Sequence, residues 1–220
     1  MQKRKILFGT YDTAAHDWTL TGWKLSAAEQ KTNYLEKANG DGSWDLSTAL
    51  TDGIMKYRDR SLTVSLECSE GTRLEREESI RHMINTLDGM REEIRLPDDD
   101  HHHVIGRLHV VREYNDLAHC AVTVTAVCEP WKYANAETVV ALTAATAKQS
   151  VTLYNRGRRA VVPTLKVEGS SVLLEYGTAS LALAAGTYQW PELLLTPGSH
   201  KLTVSGSGSV AITYREAVLE

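Results

Sequence analysis

The sequence predicts a mainly β chain with one α-helix, divided into two parts. Many short segments of the 220 residues alternate apolar with polar side chains, which is typical of half-buried strands. A helical repeat of apolar residues stands out between residues 72 and 88. The composition changes near residue 134, which indicates a boundary between domains at 1–134 and 135–220.

Charge is distributed unevenly between the two parts. Residues 1–134 contain 17 Lys or Arg and 22 Asp or Glu, whereas residues 135–220 contain 7 and 6 and no aspartate. The net charge of −4 provides no global electrostatic attraction for nucleic acid or for an anionic membrane. No apolar run approaches the roughly 20 residues that a membrane-spanning helix needs. We therefore expect no direct nucleic-acid binding and no membrane insertion.

The first part combines strands with the single helix. Thr72 and Glu75 have the spacing of a capping box, in which two side chains satisfy free backbone donors at the start of a helix. An apolar stripe follows at i, i+3, i+4 and i+7, and Gly89 is suited to end the helix. The stripe consists of Ile80, Met83, Ile84 and Leu87. Strands are predicted at residues 17–25, 62–68, 91–96, 104–112 and 119–128.

The second part is predicted to consist of strands. Short segments alternate apolar and polar residues at spacings typical of a β-sandwich, and glycines separate them. The alternating segments lie around Val151/Leu153, Leu165/Val167, Val172/Leu174/Tyr176, Leu181/Leu183, Leu202/Val204 and Val210/Ile212/Tyr214. The predicted turns are Gly169, Gly177, Gly186, Pro197-Gly198 and Gly206-Ser207-Gly208.

The cysteines and the missing catalytic motifs argue against a redox or hydrolytic site. Cys68, Cys120 and Cys128 have no Cys-x-x-Cys spacing and are expected to be buried, reduced thiols. The sequence contains no Gly-x-Ser-x-Gly, no His-Glu-x-x-His and no P-loop. We therefore predict no enzymatic activity and no cofactor.

One charged run contains side chains that suit a divalent transition metal. It is Asp98-Asp99-Asp100-His101-His102-His103. The run follows Pro97 and lies between apolar segments, which indicates an exposed hairpin loop. Because consecutive loop side chains point apart, we favour opportunistic nickel or zinc affinity over an ordered site. His101, His102 and His103 are therefore weak metal candidates.

The most distinctive stretch lies between residues 31 and 60. Gly40-Asp41-Gly42 is a tight-turn signal between two short segments and predicts a hairpin tip. Lys31-Thr32-Asn33-Tyr34 precedes it, and Trp44-Asp45-Leu46 follows it. Tyr57-Arg58-Asp59-Arg60 then leads into the strand predicted at 62–68.

This order of motifs resembles the N-terminal domain of the distal tail proteins of long-tailed bacteriophages with non-contractile tails. The second part is similar to the C-terminal domain of that family. Residues 155–157 and 163–165 resemble its opening, and residues 195–204, 206–208 and 210–215 resemble its closing hairpin. His200 departs from the family, which usually has asparagine or a similar small polar residue there. The resemblance covers nearly the whole chain.

The resemblance implies a structural virion protein of a siphophage or of an integrated prophage. The N-terminal domain would be a β-barrel-like unit, and six copies would close into a ring that can stack on another ring. The C-terminal domain would be a galectin-like β-sandwich that faces outward. The ring would join the tail tube protein to the tail-tip hub of the baseplate and, in some phages, carry receptor-binding proteins. Such a protein works at the virion tail tip after assembly in the bacterial host cytoplasm.

Six residues of the distinctive stretch are predicted to contact partner subunits. Trp44 is the first choice, because it lies beside the hairpin tip and tryptophan is enriched at protein interfaces. A position in the core is the competing interpretation for any tryptophan. The six residues are Lys31, Asn33, Asp41, Trp44, Arg58 and Arg60.

The alternative function is a carbohydrate-binding module that helps the virion adsorb to its host. Tyr188, Trp190 and His200 would supply a stacking face and polar contacts for a sugar. The lack of aspartate in residues 135–220 argues against a calcium-dependent lectin site. Analogy at the level of the fold is a poor reason to assign sugar binding.

Overall fold

The computed structural model describes residues 4–51 and 53–220, apart from the side chain of Ser170. The protein is mainly antiparallel β with one α-helix in these ranges, and one of its sheets curls as a half barrel. The predicted fold class is confirmed. The chain divides into two compact units, of which the first ends at Lys132 and the second spans Tyr133–Glu220.

The N-terminal unit is built on one large antiparallel sheet and a separate small hairpin. Its elements are β1 (Leu7–Phe8), β2 (Tyr11–Asp12), a 3-10 helix (Ala14–His16), β3 (Thr19–Leu25), β4 (Tyr34–Glu36), β5 (Ser43–Asp45), β6 (Arg60–Cys68), α1 (Arg73–Leu87), β7 (Arg91–Arg95), β8 (His102–Asn115) and β9 (Cys120–Cys128). Seven strands follow one another in the sheet in the order β2-β1-β7-β8-β9-β6-β3. Strands β4 and β5 pair with each other.

One face of the large sheet forms the core of this unit, because its central strands alternate. Leu62, Val64 and Leu66 of β6 are almost fully buried, and the residues between them face outward. Their partners in β9 are Ala126, Val124 and Val122. A slip of one residue would turn this apolar set toward solvent, so the pattern specifies the register.

Helix α1 begins and ends where its sequence signals predict. The backbone N–H of Thr72 donates to Oε2 of Glu75 at 2.7 Å, and the N–H of Glu75 donates to Oγ1 of Thr72 at 3.3 Å. Gly89 follows the helix with a φ of +77°, which glycine adopts without strain. The stripe residues Ile80, Met83 and Leu87 are buried, and Ile84 packs partly against them. No helix in the described ranges has the length and apolar character to cross a membrane.

The C-terminal unit consists of strands around a second core. Strand β10 (Lys132–Ala134) begins at the last residue of the first unit and continues into the second. The strands that follow are β11 (Thr138–Ala144), β12 (Gln149–Asn155), β13 (Thr164–Tyr176), β14 (Ala179–Leu183), β15 (Gly186–Gln189), β16 (Gly198–Tyr214) and β17 (Ala217–Val218).

Two long strands, β13 and β16, pair along most of their length and organise this unit. The first half of β16 pairs with β12 and its second half with β11. In the same way β13 pairs first with β15 and then with β14. The sheet therefore has two halves that share their central strands. Apolar residues of both halves enclose one core, as in a β-sandwich.

The two halves meet at a bend where glycines of β13 and β16 lie against each other. Gly169, Gly206 and Gly208 have φ values of +107°, +120° and +147°. A Cβ atom on Gly206 would lie 2.4 Å from the carbonyl oxygen of Ser171, so the backbones approach too closely for any side chain. The pairing also shifts between Gly169 and Ser171, as at a β-bulge.

This bend corrects part of the sequence interpretation. Turns were predicted at Gly169 and at Gly206-Ser207-Gly208, and the latter was expected to close a hairpin. Both lie inside continuous strands instead. Glycine supplies a positive φ equally well for a turn between strands and for a bend within one, so the local sequence does not separate the two.

A buried asparagine fixes the segment that follows β12. Nδ2 of Asn155 donates to the carbonyl oxygens of Arg159 and Leu195, each at 2.8 Å. Its Oδ1 accepts from the backbone N–H of Gly157 at 3.0 Å. The Asn-Arg-Gly motif at 155–157 therefore has a structural role, because the amide of Asn155 satisfies three backbone groups that would otherwise need other partners.

Candidate protein-interaction site

The strongest candidate site is an excursion of the chain between β3 and β6, which we call the arm (residues 27–51 and 53–59). None of these described residues is buried. Its hairpin pairs Leu35 with Trp44 and Tyr34 with Asp45. The arm thus forms a hairpin without a hydrophobic core of its own, whereas the rest of the N-terminal unit packs around a core.

Large apolar side chains of the arm face solvent on both sides of the hairpin. Leu35 is 54% exposed and its partner Trp44 is 53% exposed, and Tyr34, next along the strand, is 60% exposed. Leu50 beyond the hairpin is 99% exposed. An isolated two-stranded hairpin is only marginally stable in water, and a clustered apolar surface usually marks an interaction site. The arm is therefore suited to be covered by another protein surface.

The root of the arm is held firmly. The backbone N–H of Lys31 donates to the carbonyl of Lys56 at 2.8 Å, and the N–H of Arg58 donates to the carbonyl of Glu29 at 2.8 Å. The ring of Tyr57 contacts Trp131 edge-on, with ring centres 5.3 Å apart. These contacts fix the direction in which the chain leaves the sheet and returns.

The tip of the hairpin is a tight turn, as its sequence predicts. Gly42 has a φ of +74° with open space around it. The side-chain Nζ of Lys37 donates to the carbonyl of Asp41 at 3.3 Å. Behind the tip, hydrogen bonds from the side chain and the backbone N–H of Ser47 lower the pKa of the Asp45 carboxyl. The exposed Asp45 carboxylate is thus charged at neutral pH.

The predicted interface residues occupy two kinds of position. Arg60 is buried, and its Nε donates to the carbonyl oxygen of Ser26 at 2.6 Å, so this side chain anchors the root of the arm. The other five lie exposed on the arm; they are Lys31, Asn33, Asp41, Trp44 and Arg58. Their contact with a partner stays a prediction.

Sequence reasoning did not single out Tyr34, Leu35 and Leu50, which expose more of their side chains than Trp44 does. The sequence signal that could have identified Leu35 was its position relative to the predicted turn. Because Gly40-Asp41-Gly42 sets the register, Leu35 must stand opposite Trp44. A paired apolar couple on so short a hairpin has nothing within the hairpin to cover it.

The charged run before β8 is organised by Asp99. Its Oδ1 accepts from the backbone N–H of His102 at 3.0 Å and lies 3.0 Å from Nδ1 of the same residue, while Oδ2 lies 3.3 Å from Nζ of Lys132. Burial by itself would raise the pKa of Asp99, but the contacts with His102 and Lys132 outweigh it and lower that pKa. Asp99 is thus engaged in holding the turn.

The three consecutive histidines do not converge on one point. His101 is exposed, the His102 ring contacts Asp99, and His103 is buried with Nε2 3.6 Å from a carboxylate oxygen of Glu93. The predicted loop ends at His101, because His102 and His103 already belong to β8. Among the described residues, no group of three or more His, Cys, Asp or Glu side chains is arranged to hold a metal ion.

The cysteines are buried free thiols, as predicted. Burial raises the pKa of Cys120 to about 11 and that of Cys128 to about 12. A thiol acts as a nucleophile through its thiolate, which these pKa values suppress at neutral pH. The three side chains serve the core of the N-terminal unit.

The proposed sugar-stacking residues are largely used within the C-terminal unit. Trp190 is 5% exposed and belongs to the core, and Tyr188 packs against that core. Nδ1 of His200 lies 2.7 Å from the hydroxyl of Tyr176, and its Nε2 lies 2.7 Å from the carbonyl oxygen of Thr196. These positions therefore provide no exposed tryptophan face, and sugar binding there stays an untested hypothesis.

Comparison with known proteins relates the fold to that of a phage protein. No protein-family model and no curated relative matches the sequence. A solved structure does match: the SPP1 Dit (gp 19.1) protein, described as a paradigm of hub adsorption apparatus in phages that infect Gram-positive bacteria. The two chains superpose with a TM-score of 0.69 at 16% sequence identity, over 96% of this chain and 98% of the Dit chain. This protein is thus similar in fold to a phage hub adsorption protein over nearly its full length.

Proposed function

We propose that this protein is a distal tail adaptor, a structural component of a siphophage or prophage virion. The observation that carries the proposal is the fold similarity to SPP1 Dit, which extends over 96% of this chain and 98% of that one. A shared single domain would leave part of one chain unmatched. Here the similarity extends over both units of this chain.

In this proposal the arm binds a neighbouring copy of the chain. Its exposed apolar couple, Leu35 and Trp44, would be buried on a different surface of the neighbour, which makes the contact heterologous. A heterologous contact that repeats by rotation closes into a ring when the angle permits. Six copies, and the stacking of rings, follow from the resemblance to the distal tail family.

The two faces of such a ring would bind different proteins. One face would contact the tail tube protein and the other the tail-tip hub of the baseplate. The galectin-like C-terminal unit would face outward and, in some virions, carry a receptor-binding protein. The protein would be assembled in the bacterial host cytoplasm and act at the virion tail tip.

We propose no catalytic role, because the cysteine thiols and the Asp99 carboxylate of the charged run are engaged in structure. The cysteines are buried, and Asp99 holds a turn. The carbohydrate-binding alternative has no specific observation in its favour, since Trp190 lies in the core.

The test is the native mass of the purified full-length protein over a range of concentrations, followed by negative-stain electron microscopy. We expect a closed ring with a central hole. The matched variants are Leu35→Glu in the arm and Val139→Glu in the C-terminal unit, because these side chains are 54% and 57% exposed. Leu35→Glu should reduce the assembled fraction by about tenfold or more, as truncation of a central interface residue does. Val139→Glu should assemble like the wild-type protein.

Two outcomes would overturn parts of this proposal. If Leu35→Glu assembles as well as Val139→Glu, the arm is not the ring contact. If the wild-type protein stays monomeric at every concentration and in the presence of tail tube and hub proteins, it is not a ring-forming adaptor. A glycan-binding assay would then be the next measurement.

A further inference from the structure

Two histidines of the N-terminal unit come together although they are distant in sequence. His16 ends the 3-10 helix before β3, and His82 lies on the exposed side of α1. Their ring centres are 5.4 Å apart, and both rings are exposed. Neither belongs to the arm or to the charged run that ends at His103.

These two rings differ from most other histidines of the protein. Within the described part of the chain, neither ring makes a hydrogen bond or an ion pair. Five other histidine rings have such a partner: those of His102, His103, His109, His119 and His200. The ring of His101, in the loop before β8, resembles His16 and His82 in this respect. Free ring nitrogens at His16 and His82 are therefore available to a ligand.

The local backbone and packing hold His16 in place. Its ring stacks on Tyr11, with ring centres 4.3 Å apart and planes at 11°. The next residue, Asp17, has a φ of +59°, a left-handed conformation that is strained for a residue with a side chain. His82 is carried by the middle of a capped helix. The pair is thus carried by a 3-10 helix on one side and by an α-helix on the other.

The surroundings favour a cation. His16 and His82 line a cleft of about 330 Å³ whose wall also includes Glu75 and Glu78. Glu75 is committed to the capping box, and Glu78 lies one helical turn before His82. These carboxylates add negative charge beside the two imidazole rings, and negative charge attracts a positive ion.

We propose that His16 and His82 form a two-histidine site for a divalent transition cation of the zinc class. Imidazole is a preferred ligand of such ions. A tetrahedral ion bound at roughly 2.0–2.1 Å by one nitrogen of each ring requires ring centres about 5 Å apart, and the observed separation is 5.4 Å. Water would complete the coordination. Binding would tie the segment before β3 to α1 and stabilise the N-terminal unit.

The test is calorimetric titration of metal-free, full-length protein with zinc chloride, together with the thermal unfolding midpoint with and without zinc. The wild-type protein should show a saturable site and a zinc-dependent rise in the midpoint. His16→Ala and His82→Ala should each weaken zinc binding by at least about tenfold, because changes around a metal site commonly cost that much. His82→Gln is the second variant should the alanine protein fold poorly.

The matched control is His101→Ala, which removes a free histidine from the charged run. It should leave both the affinity and the rise in midpoint unchanged. The proposal is overturned if zinc binds His82→Ala and His82→Gln as tightly as it binds the wild-type protein, or if His101→Ala abolishes binding. It is also overturned if the wild-type protein shows no saturable zinc binding. These results do not depend on whether the protein forms a ring.

Discussion

Two tryptophans show how differently the two units use the same side chain. Trp190 of the C-terminal unit is 5% exposed and packs in the core, whereas Trp44 of the arm is 53% exposed. The C-terminal unit covers its apolar residues with its own strands. The arm keeps an apolar couple on its surface. The comparison teaches that one region is stabilised by its own contacts and the other is arranged for contacts that a second surface must supply.

Two glycines extend the same comparison to the backbone. Gly208 lies in the bend of β16, where a Cβ atom would be 2.5 Å from the carbonyl oxygen of Glu168. Gly42 lies at the tip of the arm, where a Cβ atom would meet nothing within 4 Å. Both have a positive φ. In the C-terminal unit glycine permits close packing, and in the arm it permits only a turn.

The largest effect is expected from Trp190→Ala. Removing a buried tryptophan should lower the free energy of unfolding by about 4 kcal/mol, through lost burial and the cavity that remains. Urea denaturation at low protein concentration, followed by circular dichroism, measures this change. Trp190→Phe is the control and should recover part of the loss. A loss below about 1 kcal/mol would mean that this core is not packed as described.

A smaller effect is expected from Gly208→Ala. The substitution should lower the free energy of unfolding by about 3 kcal/mol, because it adds a contact with the Glu168 carbonyl to the strain of a positive φ. Gly42→Ala is the matched control, since it carries the strain without the close contact, and should cost about 1 kcal/mol. The same denaturation experiment compares them. Equal losses for the two variants would contradict the tight bend in β16.

The elements that sequence reasoning predicted well are those whose signals are local. The capping box of Thr72 and Glu75 and the stripe at Ile80 placed the helix at 72–88, and α1 spans Arg73–Leu87. The alternation in β6 likewise revealed which face is buried. In both cases residues close in sequence determine the local structure, so a short segment of sequence is enough to predict it.

The features that sequence reasoning missed depend on residues brought together by the fold. Gly206 has the same local preference in a turn as in a bend, and the difference is the backbone of Ser171 across the sheet. Arg60 was predicted to contact a partner subunit, and its side chain is buried with its Nε donating to the carbonyl oxygen of Ser26. His16 and His82 meet only because the 3-10 helix packs beside α1. At such positions, burial and hydrogen-bond partners depend on tertiary contacts, which the local sequence does not specify.

The smallest effect on folding is expected from Trp44→Ala, and this makes it the sharpest test of the comparison. Because Trp44 is 53% exposed, the free energy of unfolding of the monomer should change by less than about 0.5 kcal/mol. Assembly should weaken nevertheless, since the variant removes half of the apolar couple with Leu35.

The measurement is the thermal midpoint of wild type and Trp44→Ala over a series of concentrations. Association stabilises the folded chain by mass action, so the wild-type midpoint should rise with concentration while that of the variant stays nearly constant. A monomer destabilised as much by Trp44→Ala as by Trp190→Ala would show that the arm is held by contacts within its own chain. Parallel curves for the two proteins would place the self-association surface elsewhere. If the two proteins differ only in how the thermal midpoint depends on concentration, Trp44 contacts a neighbouring copy of the chain.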